Sequence, residues 1–197
     1  MHIAFNGWFW DQPHTGSGQY LRNLLAALVE CAPQHRYSLV VPPASRTLDH
    51  LPPDVDVLPV RMRLSGHLGK VWFEQRAFPA AVGRLGADLA HVPYWGPPLR
   101  SPAPVVCSVL DVIPLVIPAY RQGVGNRLYT SLVVAAARGV AHLVTISEDA
   151  RRDIAQHIGV PAERVTVTYL AAGKAFHHEP DRERDRAVSA RYGLDDL

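Results

Sequence analysis

Short apolar runs alternate along this chain with longer stretches of helical spacing. His2–Asn6 is the first run; a polar, glycine-bearing loop from Asp11 to Gly18 and a helix from about Gln19 to Cys31 are predicted to follow. In that helix Leu21, Leu24, Leu25, Leu28 and Val29 give one apolar face. Tyr37–Val41 is a second strand stopped by Pro42-Pro43, and Asp56–Val60 a weaker third. Gly69 to Leu85 has a helical pattern, with Val71, Trp72, Gln75, Phe78 and Val82 near one face, and Pro79 inside it predicts a kink or a split. Four more apolar runs come next: Leu89–Val92, Val105–Leu110, His142–Ile146 and Val165–Tyr169. Helices are predicted over Asn126–Arg138 and Glu148–Ile158. The second of these has Ser147 as N-cap, two acids in its first turn, and Gly159 and Pro161 as stop signals. This alternation predicts a doubly wound, Rossmann-like α/β domain, a mostly parallel sheet covered by helices on both faces.

From Gly173 onward the pattern changes to His177-His178-Glu179-Pro180 and then alternating charge over Asp181–Arg186, a linker or a solvated helix. The predicted division is therefore a domain over 1–173 and a linker over 174–197.

Composition narrows the function classes. With 48% hydrophobic and 19% charged residues in 197, the chain is globular and long enough for a real core. A net charge of +2 makes no case for nucleic-acid binding. The basic excess is local: six Arg and Lys against two acids over 61–100. No apolar run approaches the roughly 18 residues of a membrane span. The N-terminus lacks the basic-then-apolar order of a signal peptide, so a cytoplasmic location is expected. Cys31 and Cys107 form no disulfide framework, and both are expected to be small buried hydrophobes. Only Lys70 and Lys174 among twenty basic residues are lysine, a bias in composition.

In an open parallel sheet, ligands bind off the carboxyl ends of the strands, so the residues just beyond each strand are the candidates. They are Thr15-Gly16-Ser17-Gly18, Pro93-Tyr94-Trp95-Gly96, Asp111, Ser147-Glu148 and Ala171-Ala172-Gly173. Gly16, Ser17 and Gly18 suit either a phosphate cradle at a helix N-terminus or a tight turn. They match neither a dinucleotide fingerprint, which needs glycine at Leu21, nor a Walker loop or a nucleophile elbow. Tyr94 and Trp95 suit a sugar-stacking wall or the closure of one end of the core. Asp111 suits a hydroxyl ligand or base, or a cap for the next turn. Ser147 is a helix cap that also lies where an anion can bind. The ten histidines show no His-x-His or His-Glu-x-x-His spacing, and no metal site is expected. Arg61, Arg63, His67, Lys70, Trp72, Phe73 and Arg76 mix basic and aromatic residues, as in a membrane-surface helix or an ordinary amphipathic one.

Four stretches, in order, resemble the N-terminal domain of family 4 glycosyltransferases of the GT-B fold: GSGQYLRNLLAAL (16–28), KVWFEQRAFPAAVGRLGADLAHVPYW (70–95), SVLDVIPLVIP (108–118) and VTISEDARRDIAQHIGVPAERVTVTYLAAG (144–173). The last is the most specific, and together they span nearly the whole chain. The resemblance implies the acceptor-binding half of a retaining sugar transferase that uses a nucleotide-sugar donor, with no cofactor and no obligatory metal. It also implies a sugar or lipid-linked acceptor and a role in cell-envelope or polysaccharide synthesis; peripheral membrane association through residues 61–76 is the separate expectation that their basic and aromatic residues raise. Such enzymes carry a second, donor-binding domain, and 174–197 resembles the approach to one, so the chain alone is expected to be inactive. One departure matters. Where the family commonly has His-Asp at the tip of the fifth strand this chain has Leu110-Asp111, leaving Asp111 as the inherited catalytic candidate. The same elements also suit a non-catalytic Rossmann-like binding or regulatory module.

Overall fold

The computed structural model describes residues 1–43, 51–173 and 181–194. Seven strands form one all-parallel sheet: β1 (His2–Asn6), β2 (Arg36–Val41), β3 (Val55–Pro59), β4 (Leu89–Val92), β5 (Val105–Ser108), β6 (His142–Thr145) and β7 (Val165–Val167). Their spatial order is β3-β2-β1-β4-β5-β6-β7. The order reverses at β1, which pairs with β2 on one side and β4 on the other. That switch point opens a crevice at the carboxyl ends of β1 and β4.

Alternation along the strands supplies both cores. Ile3 and Phe5 of β1, with Tyr37, Leu39 and Val41 of β2, pack under Leu21 and Leu25 of α1 (Gly16–Cys31). Ala4, Val40, Ala90 and Val92 point the other way, onto Phe73, Phe78, Ala81 and Val82. The remaining helices are α2 (Gly66–Trp72), α3 (Phe78–Leu85), α4 (Ile113–Val116), α5 (Val124–Gly139), α6 (Glu148–Ile158) and α7 (Arg182–Tyr192), which has no buried residue. None of the described helices is long and apolar enough to cross a membrane. The histidine pair 177–178 lies outside the described residues.

Several sequence expectations are corrected. The helix expected from Gln19 begins at Gly16, because Thr15 caps it: Thr15 Oγ1 accepts from the Gly18 N–H at 3.1 Å. Cys31 is exposed, since it turns off the face that carries Leu21 and Leu25. The stretch expected as one kinked helix is continuous from Gly66 to Leu85, but passes through a π-helical turn, Phe73–Ala77. Pro79 cannot donate a backbone hydrogen bond, and the wider turn just before it, closed by Phe78 N–H to Phe73 O, absorbs that loss without a break. The turn also rotates the register. Phe73, Glu74 and Ala77 become buried while Val71, Trp72 and Gln75 are half-buried. β5 ends at Ser108 and β7 at Val167, both earlier than expected, and a short helix, α4, begins two residues after Asp111.

Candidate functional site

The segment between β1 and α1 is folded tightly over the sheet. Trp10 is fully buried beneath it, and Arg22 of α1 donates from Nε and Nη2 to the Trp10 carbonyl at 2.9 and 2.7 Å while stacking over the indole. Gly18 is buried in the first turn of α1. A Cβ there would overlap the carbonyl oxygen of Gln12 and crowd that of Phe9, so this glycine serves close packing of backbone on backbone. At Gly16 a Cβ would meet nothing within 4 Å.

A cavity of about 350 Å³ opens at the switch point. Ser17 and Phe9 reach it from the β1–α1 side, Tyr94 and Trp95 from beyond β4, and Leu110 and Asp111 from beyond β5. Asn126, Tyr129, Thr130 and Val133 of α5 close it, with Lys70 of α2 in its wall. Of the residues proposed from sequence, the structure therefore brings Ser17, Tyr94, Trp95 and Asp111 together. Gly16 stands beside Ser17 at the open N-terminus of α1, and Gly18 lies packed beneath. Ser147 is not in the cavity wall; its Oγ accepts from the Ala150 N–H at 3.1 Å as the cap of α6.

Asp111 is exposed at the rim, and its Oδ1 accepts from the Ile113 N–H at 3.0 Å, which ties it to the start of α4. It thus caps a turn and lines the cavity, and its second oxygen has no hydrogen bond among the described residues. Tyr94 is buried; its hydroxyl donates to Asn6 Oδ1 at the end of β1 (3.2 Å), and its ring meets Phe9 edge-on at 4.8 Å. Burial beside Glu74 pushes its phenol well above the ordinary range. The Trp95 Nε1–H is shielded and has no acceptor among the described residues.

Residues that sequence reasoning missed lie behind and beside these. Lys70 Nζ bonds both Glu74 Oε1 and Tyr129 OH, and the Tyr129 hydroxyl is 3.0 and 3.1 Å from the two Glu74 oxygens. Burial pulls the Lys70 ammonium below its usual range and pushes the Glu74 carboxyl up, while each partner's charge opposes the shift in the other. The ammonium lies over three rings, 4.7 Å from the centroid of Tyr129, 4.9 Å from Tyr94 and 5.8 Å from Phe9. One of only two lysines in an arginine-rich chain is the sequence signal. Its meaning needed Tyr129, brought across from α5.

The surface-helix residues divide. Lys70 and Phe73 turn inward, whereas Arg61, Arg63 and Arg76 join Arg84 around the half-buried Trp72 in a separate groove of about 1000 Å³ beyond β3. Among the described residues no three His, Cys, Asp or Glu side chains gather as a metal site.

The family model for Glycosyltransferase Family 4 matches residues 14–171, from the cap of α1 to just beyond β7. The chain belongs to this family. As a family 4 glycosyltransferase chain it shares its fold with solved glycosyltransferases at low identity. HepE from Anabaena, crystallised in complex with UDP and glucose, matches with TM-score 0.62 and 16% identity over 98% of this chain and 50% of that one. A sucrose-phosphate synthase structure from Thermosynechococcus elongatus matches with TM-score 0.56 and 11% identity, covering 98% of this chain and 96% of that one. The lipopolysaccharide outer core galactosyltransferase WaaB matches with TM-score 0.52 and 11% identity over 93% and 50%. The chain spans about half the length of HepE and WaaB. No curated protein matches it in sequence.

Proposed function

We propose that this chain is the acceptor-binding half of a retaining glycosyltransferase that moves a sugar from a nucleotide-sugar donor to an acceptor hydroxyl, without an obligatory metal. In this reading residues 1–173 bind the acceptor, and 174–197 lead toward a donor-binding domain. The observation that carries it is the cavity at the switch point of a family 4 fold, where aromatic walls (Phe9, Tyr94, Trp95) meet a few polar groups (Ser17, Asp111, Thr130). Rings stack on the apolar face of a sugar, and the polar groups orient its hydroxyls. The HepE complexes with UDP and UDP-glucose support a nucleotide-sugar donor by likeness. Synthesis of a cell-envelope or polysaccharide glycan, at the cytoplasmic face of the membrane with a sugar or lipid-linked acceptor, is the setting that fits. The exposed arginines around Trp72 would supply the peripheral contact.

In this reading Asp111 orients or deprotonates the acceptor hydroxyl from the rim. Asp111→Asn in the two-domain enzyme is expected to lower the acceptor-dependent rate at least about tenfold, roughly 1.4 kcal/mol of transition-state binding. An unchanged rate and acceptor affinity would reduce Asp111 to the cap of α4.

The open N-terminus of α1 gives a second test. Gly16→Val puts a side chain into free space in front of the helix, so the melting temperature should stay within a few degrees, about 1 kcal/mol or less. If the donor diphosphate approaches that terminus, the rate of the two-domain enzyme should fall by about a hundredfold, roughly 2.7 kcal/mol. Retained activity with the same substitution would remove α1 from the donor site.

A further inference from the structure

Three irregularities of the chain meet at one carboxylate. Glu74 is fully buried, and it lies in the π-helical turn that interrupts α2 and α3. The loop after β4 is moulded on it, since a Cβ at Gly96 would overlap Glu74 Oε1. Its cation partner, Lys70, is one of two lysines beside eighteen arginines. Stability does not account for such a pair, because desolvating both ions offsets their attraction and a well-packed apolar replacement is commonly as stable. π-turns, too, gather at functional sites.

The arrangement has a front and a back. Lys70 and Tyr129 line the cavity, while Glu74 and Gly96 sit behind them. Two of the three ammonium N–H groups are used by Glu74 and Tyr129, and the third has no acceptor among the described residues.

Charge fixes what such donors can take. Only Lys70 and Asp111 are charged among the lining residues. Wherever the proton rests within the Lys70–Glu74 pair, the pair is net neutral, so Asp111 leaves the cavity negative. A carboxylate or phosphate would meet no free cation there. A sugar hydroxyl accepts a hydrogen bond without bringing charge.

We propose that Lys70 contacts the acceptor in this pocket, that Glu74 is its positioning residue, and that the acceptor group it holds is an uncharged sugar hydroxyl. The inference rests on the acceptor-pocket reading above and specifies its ligand class. Because the chain has two lysines, selective ¹³Cε-lysine labelling gives two side-chain NMR signals, and Lys70→Arg assigns them. Methyl glycosides of glucose, mannose and galactose are titrated first, then glucuronate and inorganic phosphate at matched ionic strength, with the ¹⁵N-indole signal of Trp95, picked out from those of the other three tryptophans by Trp95→Phe, followed in parallel.

At least one neutral glycoside should shift the Lys70 signal and leave Lys174 still, with no response to glucuronate or phosphate. In Glu74→Gln the neutral response should weaken at least tenfold and a phosphate response should appear, because the ammonium has lost its counter-charge. A packing role alone would not invert that selectivity. Should Glu74→Gln fail to fold, the double variant Lys70→Leu/Glu74→Leu should stay folded and lose the glycoside response of Trp95. A wild-type Lys70 signal that follows glucuronate or phosphate overturns the ligand class. Glycosides that move Trp95 but not Lys70 overturn the role of Lys70 and leave the pocket reading standing. If no sugar moves either residue, both fail together.

Discussion

Gly18→Val should lower the melting temperature of this chain on the order of 10 °C, a loss of about 3 kcal/mol or more, although the atoms nearest an added Cβ are all backbone. The added atoms would fall on the Gln12 and Phe9 carbonyls, which belong to backbone and cannot rotate away. Those carbonyls are fixed in turn, because Gln12 O accepts from the Thr15 N–H (3.0 Å) and Phe9 O from the Gln12 N–H (3.0 Å). The substitution would thus push the β1–α1 segment, Trp10 with it, away from the first turn of α1 and break the Thr15 cap. Thermal melts of Gly18→Val and Gly16→Val side by side make the check, since only the first position is enclosed. Equal melting temperatures for the two would mean that the turn does not pack as described.

Acid should weaken the fold through one histidine. His91 of β4 is buried, stacked on Phe5 at 5.0 Å, with Nε2 3.0 Å from Ser108 Oγ, which lies 3.1 Å from the Tyr20 hydroxyl. These neighbours are neutral, and burial pulls the imidazole down to about 4. The unfolded chain, with its histidine near 6.5, binds the proton first. The stabilisation is therefore complete above about pH 6.5 and is lost as pH falls toward 4, about 3 kcal/mol in all. Denaturant unfolding at pH 7.5 and 4.5 should show most of that loss in the wild type. His91→Gln, which does not titrate, should lack this component even if it starts less stable. An equal pH dependence in both would mean that His91 ionises freely within the fold.

What the sequence disclosed follows the range of the signals involved. The start and stop of α6 were readable because Ser147, the acids after it and Gly159 act within a turn or two of the chain. The parallel sheet was readable because strands buried on both faces are short continuous apolar runs. The start of α1 is less legible, because Thr15, an N-cap by residue type, stands within a polar, glycine-bearing stretch that reads as loop. In the Gly69–Leu85 stretch Phe78 and Val82 are buried as the helical period predicts, whereas the π-turn before them brings Phe73, Glu74 and Ala77 inward and leaves Val71, Trp72 and Gln75 half-buried, which no 3.6-residue period reveals. Ser17, Tyr94, Trp95 and Asp111 could be collected from strand ends alone. Lys70 and Tyr129 could not, since they are 59 residues apart and meet only through the packing of α2 on α5.

In the proposed function the cavity over Tyr94, Trp95 and Asp111 serves nucleotide-sugar-dependent transfer. Release of nucleoside diphosphate from a panel of UDP-, GDP- and ADP-sugars, measured for the two-domain enzyme with the 197-residue chain as control, tests it most directly. At least one donor should be turned over by the two-domain enzyme, about tenfold more slowly in acceptor-dependent assays for Asp111→Asn, and none by the chain alone. Normal turnover by the chain alone, or transfer indifferent to Asp111, Lys70 and Trp95 together, would contradict it.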